Sequence, residues 1–579
     1  MIKKEFLKNA VAVSAVSLTM NVIGIVFRTY LSNRVGAETM GLLQLVLSVY
    51  FPACTLASSG VYVASTRLCS EALARRDRSV TQILNRCLLY SLVFGGGSFL
   101  LLFFGAKTVA GVWLGFPKGE IPLKILSLSL PFLAASNALQ GFFLSLRKAT
   151  YSTVLQVSED LSKIGATVLL FCLYLDRGPT AALCATVAGM AVGETVSFLI
   201  GYTLYRRKIP GLPLANPRQK TTCADVIKIA LPCAFSAYLR SGLGMIENLL
   251  VPRGLTAYGL TEEQTLSALG KIDGMALPVL VFPAAFLAVV SKLLVPEIAA
   301  ENAVGNKESN VKTSNEVLRW TLLYSIFIGL FMAVFGPDLG MVLYHDEACG
   351  RYIRILSPII PVLYCDRVTD GIMKGYNEQL TTMRINILET VFQTLGALFL
   401  IPITGIVGYV ALFCVGSTFN FALSYRALKK IGAASFPPKR ELFSCLLAAG
   451  AAILPFKTVG TVIRIPLWVS VVGAAGFYLV FLREMTGKRK KTVKIHLWRD
   501  PKRKDPARIP TSAQRKEQAA LRHLPPQHPK RTGEPAEKSR KNGRVRFFPD
   551  PTPGDRPRRK ADDAEKTGLR REVSRKIRP

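Results

Sequence analysis

The stretch KILSLSLPFL, residues 124–133, returns as RILSPIIPVL, residues 354–363. The copies stand 230 residues apart and agree at five of ten positions. Each opens on a cation and carries a proline at its eighth position. Other residues obey the same 230-residue offset: Asn85 with Asn315, Gly141 with Gly371, and Glu159 with Glu389. Pro52-Ala53 and Pro283-Ala284 match at an offset of 231. Leu-rich helices resemble one another by chance. Shared Glu, Asn, Gly and Pro at one spacing are not explained that way. The chain reads as a duplicated apolar unit.

Composition sets what that unit is. The 579 residues are 50% hydrophobic, with a mean hydropathy of +0.31. Apolar runs recur from Phe6 to Leu482, and many extend for about 20 residues with one charge or none, the length of a membrane span. Examples are 91–106, 275–290, 324–335, 396–409 and 467–482. No segment alternates with period two, which argues against a membrane barrel. The expected class is an all-α polytopic membrane protein.

About fourteen helices are predicted, near 8–31, 41–66, 83–107, 121–146, 152–175, 179–205, 222–251, 269–296, 315–343, 352–376, 382–402, 405–428, 440–457 and 461–483. Basic residues collect in alternate loops, at Lys3, Lys4, Lys8, Arg75, Arg76, Arg78, Arg147, Lys148, Arg206, Arg207, Lys208, Lys429 and Lys430. By the positive-inside rule those loops and both termini face the cytoplasm. The basic start is expected to open the first helix rather than a cleaved signal peptide. The repeat divides the chain into a six-helix lobe at 1–210 and a second at 211–432. Two extra helices at 433–486 follow, then a tail at 487–579. Six is even, so both lobes enter the membrane in the same orientation, as a parallel repeat around a central cleft. Two such bundles suit alternating access. Mid-helix prolines at 52, 131, 232, 278, 283, 296, 358 and 361 would loosen the moving helices.

Charges inside spans are costly, and they face a cavity or a partner. The cationic candidates for holding a substrate are Arg28, Lys163, Arg240, Lys271 and Arg367. The acidic candidates for coupling to a proton or Na⁺ are Glu159, Glu247, Asp273, Asp370 and Glu389. Glu159 and Lys163 are four apart and are expected to pair. Arg240 and Glu247 are seven apart on one face. Lys271 and Asp273 are expected to open their helix, and Asp366, Arg367, Asp370 and Lys374 lie in the CDRVTDGIMK run. Arg28, Lys271 and Lys374 lie near predicted helix ends, where snorkelling to the interface is an alternative role. Cations in a low-dielectric cleft favour an anion, and Arg suits phosphate.

GIVFRTYLSNRVGAETMGLLQLVLSVYFPACTLASSGVYVASTRLCSE, residues 24–71, resembles the opening of the stage V sporulation protein B and polysaccharide-exporter branch of the multidrug/oligosaccharidyl-lipid/polysaccharide (MOP) flippases. Arg28, Gly36, Gly41, Gln44, Pro52, Gly60, Ala64, Ser65 and Arg67 fill the positions of that pattern, with Leu43 where Tyr is common. The LPVLVFPAAF…LVPEIA run, residues 277–299, is similar as well. The resemblance extends to about residue 485. It implies a flippase for undecaprenyl-pyrophosphate-linked sugars, most simply the peptidoglycan precursor lipid II, with Arg28 as a cavity cation. It also implies a role in cell-wall biogenesis and sporulation. The dedicated lipid II flippases carry further arginines in their second and eighth helices. Here residues 41–66 are uncharged and the eighth predicted helix has no arginine, with Lys271 and Asp273 near its start.

Other classes find less support. No GxxxxGK[ST], GxSxG or HExxH occurs, so no enzyme and no ATP-driven pump is expected. The eleven cysteines form no CxxC, and neither a cofactor, a metal nor a disulfide is expected. The tail carries 30 basic against 11 acidic residues, +19 of the net +35. It is expected to be disordered and cytoplasmic, attracted to anionic lipid headgroups. Its one aromatic pair, Phe547-Phe548, is too little for nucleic-acid stacking. An ion-coupled multidrug or cation antiporter of the same superfamily is the alternative function. A scaffold for cell-wall synthesis proteins, candidate partners in either case, is a third.

Overall fold

Glycine decides how the first two predicted helices join. In the computed structural model they form one element, α1 (Ile2–Ser58), bent at Gly36, where φ is 79° and ψ is 170°. That backbone is open to glycine and strained for other residues. The chain breaks again at Ser59 and Gly60, with φ of 40° and 72°, before α2 (Val61–Ala74). The structure describes residues 2–74, 79–146, 149–174, 178–208, 222–303, 307–432 and 439–463, together with 469, 473 and 475–478. Most of the fourteenth predicted helix, the basic loops at 75–78 and 147–148, and the whole tail lie outside the described residues.

The chain continues through α3 (Ser79–Thr108), a π-helical turn at Val109–Leu114, α4 (Glu120–Ser127), α5 (Leu130–Ser145), α6 (Ala149–Tyr174) and α7 (Pro179–Lys208). Then follow α8 (Cys223–Ala257), α9 (Glu262–Leu269), a second π-helix at Gly270–Ala276, α10 (Leu277–Val281) and α11 (Ala284–Ala303). The last described elements are α12 (Lys307–Tyr344), α13 (Glu347–Leu356), α14 (Ile360–Gly375), α15 (Gln379–Phe399), α16 (Ile401–Lys430) and α17 (Lys439–Ile463). No strand occurs among the described residues.

The duplicated phrase marks a break in both copies. In the first, α4 gives way to α5 at Leu128 and Ser129, and the combined span bends by 42°. In the second, a 3-10 turn at Ser357–Ile359 separates α13 from α14. Five prolines stand at such junctions: Pro131, Pro278 and Pro361 in the first turns of α5, α10 and α14, Pro358 in the 3-10 turn, and Pro283 between α10 and α11. A missing N–H is harmless at a helix start. Pro52 and Pro232 stay inside α1 and α8.

Packing recurs between the matching helices of the two halves. α5 lies on α2, and Ser65 donates to the Ala138 carbonyl at 2.8 Å. α14 lies on α11, and Ser291 donates to the Arg367 carbonyl at 3.4 Å. Gly141 and Gly371 permit these approaches. A Cβ on Gly141 would stand 2.6 Å from the Tyr62 carbonyl oxygen, and one on Gly371 would stand 2.9 Å from the Ser291 side chain. α6 packs along α7, as α15 does along α16.

The outward faces are apolar. Phe104, Ile403 and Val407 are 75%, 75% and 77% exposed, a surface that water would not tolerate over this extent and lipid does. Among the described residues six helices are long and apolar enough to cross a membrane, or eight if two bent pairs each make one span. This is a multi-pass membrane protein. The eighth predicted helix starts earlier than expected. Thr261 and Gln264 form a capping box that opens it at Glu262, because reciprocal side-chain bonds satisfy the first free N–H groups there. Lys271 and Asp273 therefore lie inside the helix and do not open it.

Candidate functional site

The second π-helix, Gly270–Ala276, is where distant parts of the chain converge. A π turn widens the backbone and bonds carbonyls five residues on, and such turns gather at functional sites. Three consecutive carbonyls of this turn take side-chain donors. The half-buried Arg28 of α1 donates from Nη2 to the Asp273 carbonyl at 3.3 Å and from Nε to the Gly274 carbonyl at 3.1 Å. Tyr344 of α12 donates to the Met275 carbonyl at 3.2 Å. The Asp273 carboxylate accepts a forked bond from the single Tyr409 hydroxyl proton of α16, with the oxygens at 2.7 and 2.9 Å. Arg28 thus sits at a junction of α1 with the α9–α10 series, its guanidinium committed to backbone oxygens.

Backbone contact seals the same junction. Gly41 of α1 lies directly on the Leu266 carbonyl group, and a Cβ there would stand 2.7 Å from the Leu266 carbonyl carbon. The contact is reciprocal, since a Cβ on Gly270 would stand 2.8 Å from the Ala37 carbonyl carbon and 2.9 Å from the Gly41 nitrogen. Lys271 closes an ion pair with Asp346 at 2.9 Å, in the turn between α12 and α13 and outside the spans. Burial pushes the Asp346 carboxyl up, but the Lys271 ammonium and the Cys349 backbone N–H, at 3.0 Å, outweigh it and hold it below its ordinary range. A second arginine makes a similar tie. Arg253 of α8 donates to the Val112 and Trp113 carbonyls of the first π turn at 2.7 and 3.0 Å.

A second polar group lies among α8, α14, α15 and α16. Glu389 of α15 accepts from Asn420 of α16, and from Gln393 at 3.4 Å. Asn420 also donates to Asn386 at 3.1 Å. Glu247 of α8 stands within electrostatic reach of both Glu389 and Asp273. On α14, Asp366 and Asp370 each have a buried Oδ1 with no hydrogen-bond partner. Arg240 and Arg367 are exposed, and both interact electrostatically with Asp370.

A third group is smaller. Lys163 pairs with Asp160 at 2.8 Å, which corrects the expected pairing with Glu159. Residues three and four apart share a helix face, so spacing alone does not choose between them. Glu194 of α7 faces Glu159, Lys163 and Asp160 electrostatically, and Gly193 allows the close crossing, its absent Cβ only 2.8 Å from the Glu159 carbonyl oxygen.

The candidates thus fall into three places: Arg28, Lys271 and Asp273 at the π-helix; Arg240, Glu247, Arg367, Asp370 and Glu389 beside it; and Glu159 with Lys163 apart. Sequence reasoning missed Tyr409, Tyr344 and Asp346, whose contacts carry no local signature. Asn386 and Asn420 were detectable as polar residues in apolar helices. Among the described residues no group of three or more His, Cys, Asp or Glu side chains is placed to hold a metal ion.

Known proteins bear on this geometry. Residues 6–254 match the family profile named Polysaccharide biosynthesis protein. Stage V sporulation protein B of Bacillus subtilis (strain 168) is 22% identical over 501 residues, spanning 83% of this chain and 96% of that one. Among solved structures, lipid II flippase MurJ in its inward closed conformation superposes with a TM-score of 0.62 at 11% identity, covering 84% of this chain and 99% of that chain. An inward-facing multidrug resistance MATE family transporter of the MOP superfamily gives 0.56 at 15% identity, covering 72% and 99%. At these identities the structural likeness is one of fold.

Proposed function

We infer that this chain, a flippase-type exporter of the polysaccharide branch of the MOP superfamily, moves an undecaprenyl-pyrophosphate-linked glycan across the cytoplasmic membrane. Lipid II is the first candidate cargo. The polyprenyl tail stays in the bilayer while diphosphate and sugar cross between the lobes at 1–210 and 211–432. The recurring contacts of α2 with α5 and α11 with α14 support that division. Both termini face the cytoplasm, and residues 433–486 stand outside the repeat.

The observation that carries the reading is Arg28. A guanidinium inside an apolar helix, bonded to two carbonyls of an irregular turn, is poised to exchange those neutral acceptors for an anion. A diphosphate oxygen makes the stronger, charge-assisted bond. Taking Arg28 off the π-helix would unfasten α1 from α9 and α10 and let the Gly41–Gly270 junction open. Arg240 and Arg367 are further anion-binding groups. Lys163 and Lys271, each held in an ion pair, are cations of the same pathway. Glu159, Glu247, Asp273, Asp370 and Glu389 are the candidates for coupling to H⁺ or Na⁺. No cofactor and no covalent step is involved.

One observation favours the antiporter reading: the acids around Glu247 and Asp370 would also suit a cationic drug. Both are tested by reconstitution. Labelled lipid II in proteoliposomes is followed by its exposure to an external sugar-modifying enzyme, for wild type, Arg28→Ala and Glu389→Gln. Flipping that collapses in Arg28→Ala supports the anion pathway and counts against a scaffold. A wild type that flips no polyprenyl-linked glycan but binds a cationic dye would replace the flippase reading with the antiporter one. Flipping untouched by either substitution would sink the site assignment.

A further inference from the structure

The cations differ in whether they are free. Arg28 is bonded to two carbonyls, Lys271 to Asp346 and Lys163 to Asp160. Arg240, Arg367 and Lys374 are exposed, and none closes an ion pair among the described residues. On α14, Arg367, Asp370 and Lys374 are spaced by three and four residues, one above the other on a single helix face. Arg240 lies on α8, which packs on α15, and acts electrostatically on both Glu389 and Asp370. All three cations act on the Asp370 carboxylate, and its buried Oδ1 has no hydrogen-bond partner. The other acids here, Asp366 and Glu389, are also partly buried, and Glu389 is engaged with Asn420 and Gln393. The cationic residues are therefore the more exposed members of the group and the acids the more buried.

We propose that Arg240, Arg367 and Lys374 form a docking subsite that takes the diphosphate group of the substrate in this conformation, while Arg28 is still fastened to the π-helix. This rests on the flippase reading. Two guanidinium forks and an ammonium match the several oxygens of a diphosphate. Asp370 holds the cations together and weakens the anion's hold, which leaves the ligand releasable. Arg28 then acts second, once the anion is already between the helices.

The test is equilibrium binding to the full-length protein in nanodiscs, with inorganic pyrophosphate and undecaprenyl diphosphate as probes. Arg240→Ala/Arg367→Ala should weaken both by about tenfold or more, with partial recovery in Arg240→Lys/Arg367→Lys. Asp370→Asn should tighten both several-fold, a gain that a misfolded protein cannot produce. Arg28→Ala should stop flipping yet still dock pyrophosphate. Wild type that binds neither probe, Asp370→Asn that binds no tighter, or docking lost in Arg28→Ala but kept in Arg240→Ala/Arg367→Ala would overturn the subsite. Equal competition by phosphatidylglycerol would assign it to bulk headgroups and overturn its substrate role. Docking as described with no flipping of any lipid-linked glycan would count against the flippase reading alone. Flipping by wild type with unaltered docking in the arginine variants would count against the subsite alone.

Discussion

Gly41→Ala adds one methyl group where α1 meets α9. The new carbon would lie on the Leu266 carbonyl group, 2.7 Å from its carbon and 3.1 Å from the Gly270 nitrogen. Both obstacles are backbone, so no side chain can turn away and the helices themselves must part. Overpacking of this kind costs about 1–3 kcal/mol. At about 1.4 kcal/mol per tenfold change, the sealed arrangement should lose about 5- to 140-fold in population. Alanine also favours a helix over glycine by about 1 kcal/mol, which acts in the opposite direction and has to be separated. Gly97→Ala supplies that control, since a Cβ there meets nothing within 4 Å. Hydrogen exchange over residues 262–276 in nanodiscs reads the opening. Exchange should accelerate in Gly41→Ala and not in Gly97→Ala. Wild-type protection in Gly41→Ala would refute the claim that glycine is needed for the seal.

Three further outcomes follow from single contacts. Tyr409→Phe removes the forked bond to the Asp273 carboxylate; a bond to a charged group is worth about 1.5–3 kcal/mol, so thermal unfolding in detergent should come several degrees lower, and an unchanged midpoint would deny the carboxylate its dependence on Tyr409. The Asp346 carboxyl is held low in the folded protein, so its contribution is complete above the ordinary aspartate value of about 4 and is lost as pH falls below that through the lowered one. Acid unfolding of Lys271→Met should show a smaller increment, the Cys349 N–H remaining, and a profile superposing on wild type would show that the ion pair is not a source of it. Arg253→Ala should speed exchange of residues 109–116 by severing the ties to Val112 and Trp113, while leaving residues 262–276 protected; equal effects at both places would mean that the two π turns move as one.

Much of the architecture is visible in one dimension. Apolar runs of span length need only counting, and the helices follow because a backbone in lipid must satisfy its own hydrogen bonds. The shared phrase at 124–133 and 354–363 marked places where both copies break, since proline and serine weaken a helix wherever it packs. Boundaries were less legible. The capping box at Thr261 and Gln264 precedes the apolar run, so hydropathy began the eighth helix too late and put Lys271 and Asp273 at its start.

The sequence alone determined that this is a helical membrane protein and that certain charges lie in apolar surroundings. These are properties of composition and spacing, and burial in lipid makes each such charge a demand for a partner. Which partner it takes was decided by tertiary structure. Arg28 bonds to the carbonyls of Asp273 and Gly274, and every residue carries a carbonyl, so no residue type announces that acceptor. Only the π turn and the crossing at Gly41 and Gly270 bring it within reach. The same holds for Lys163, whose acidic neighbours Glu159 and Asp160 both share its helix face by spacing and which pairs with Asp160.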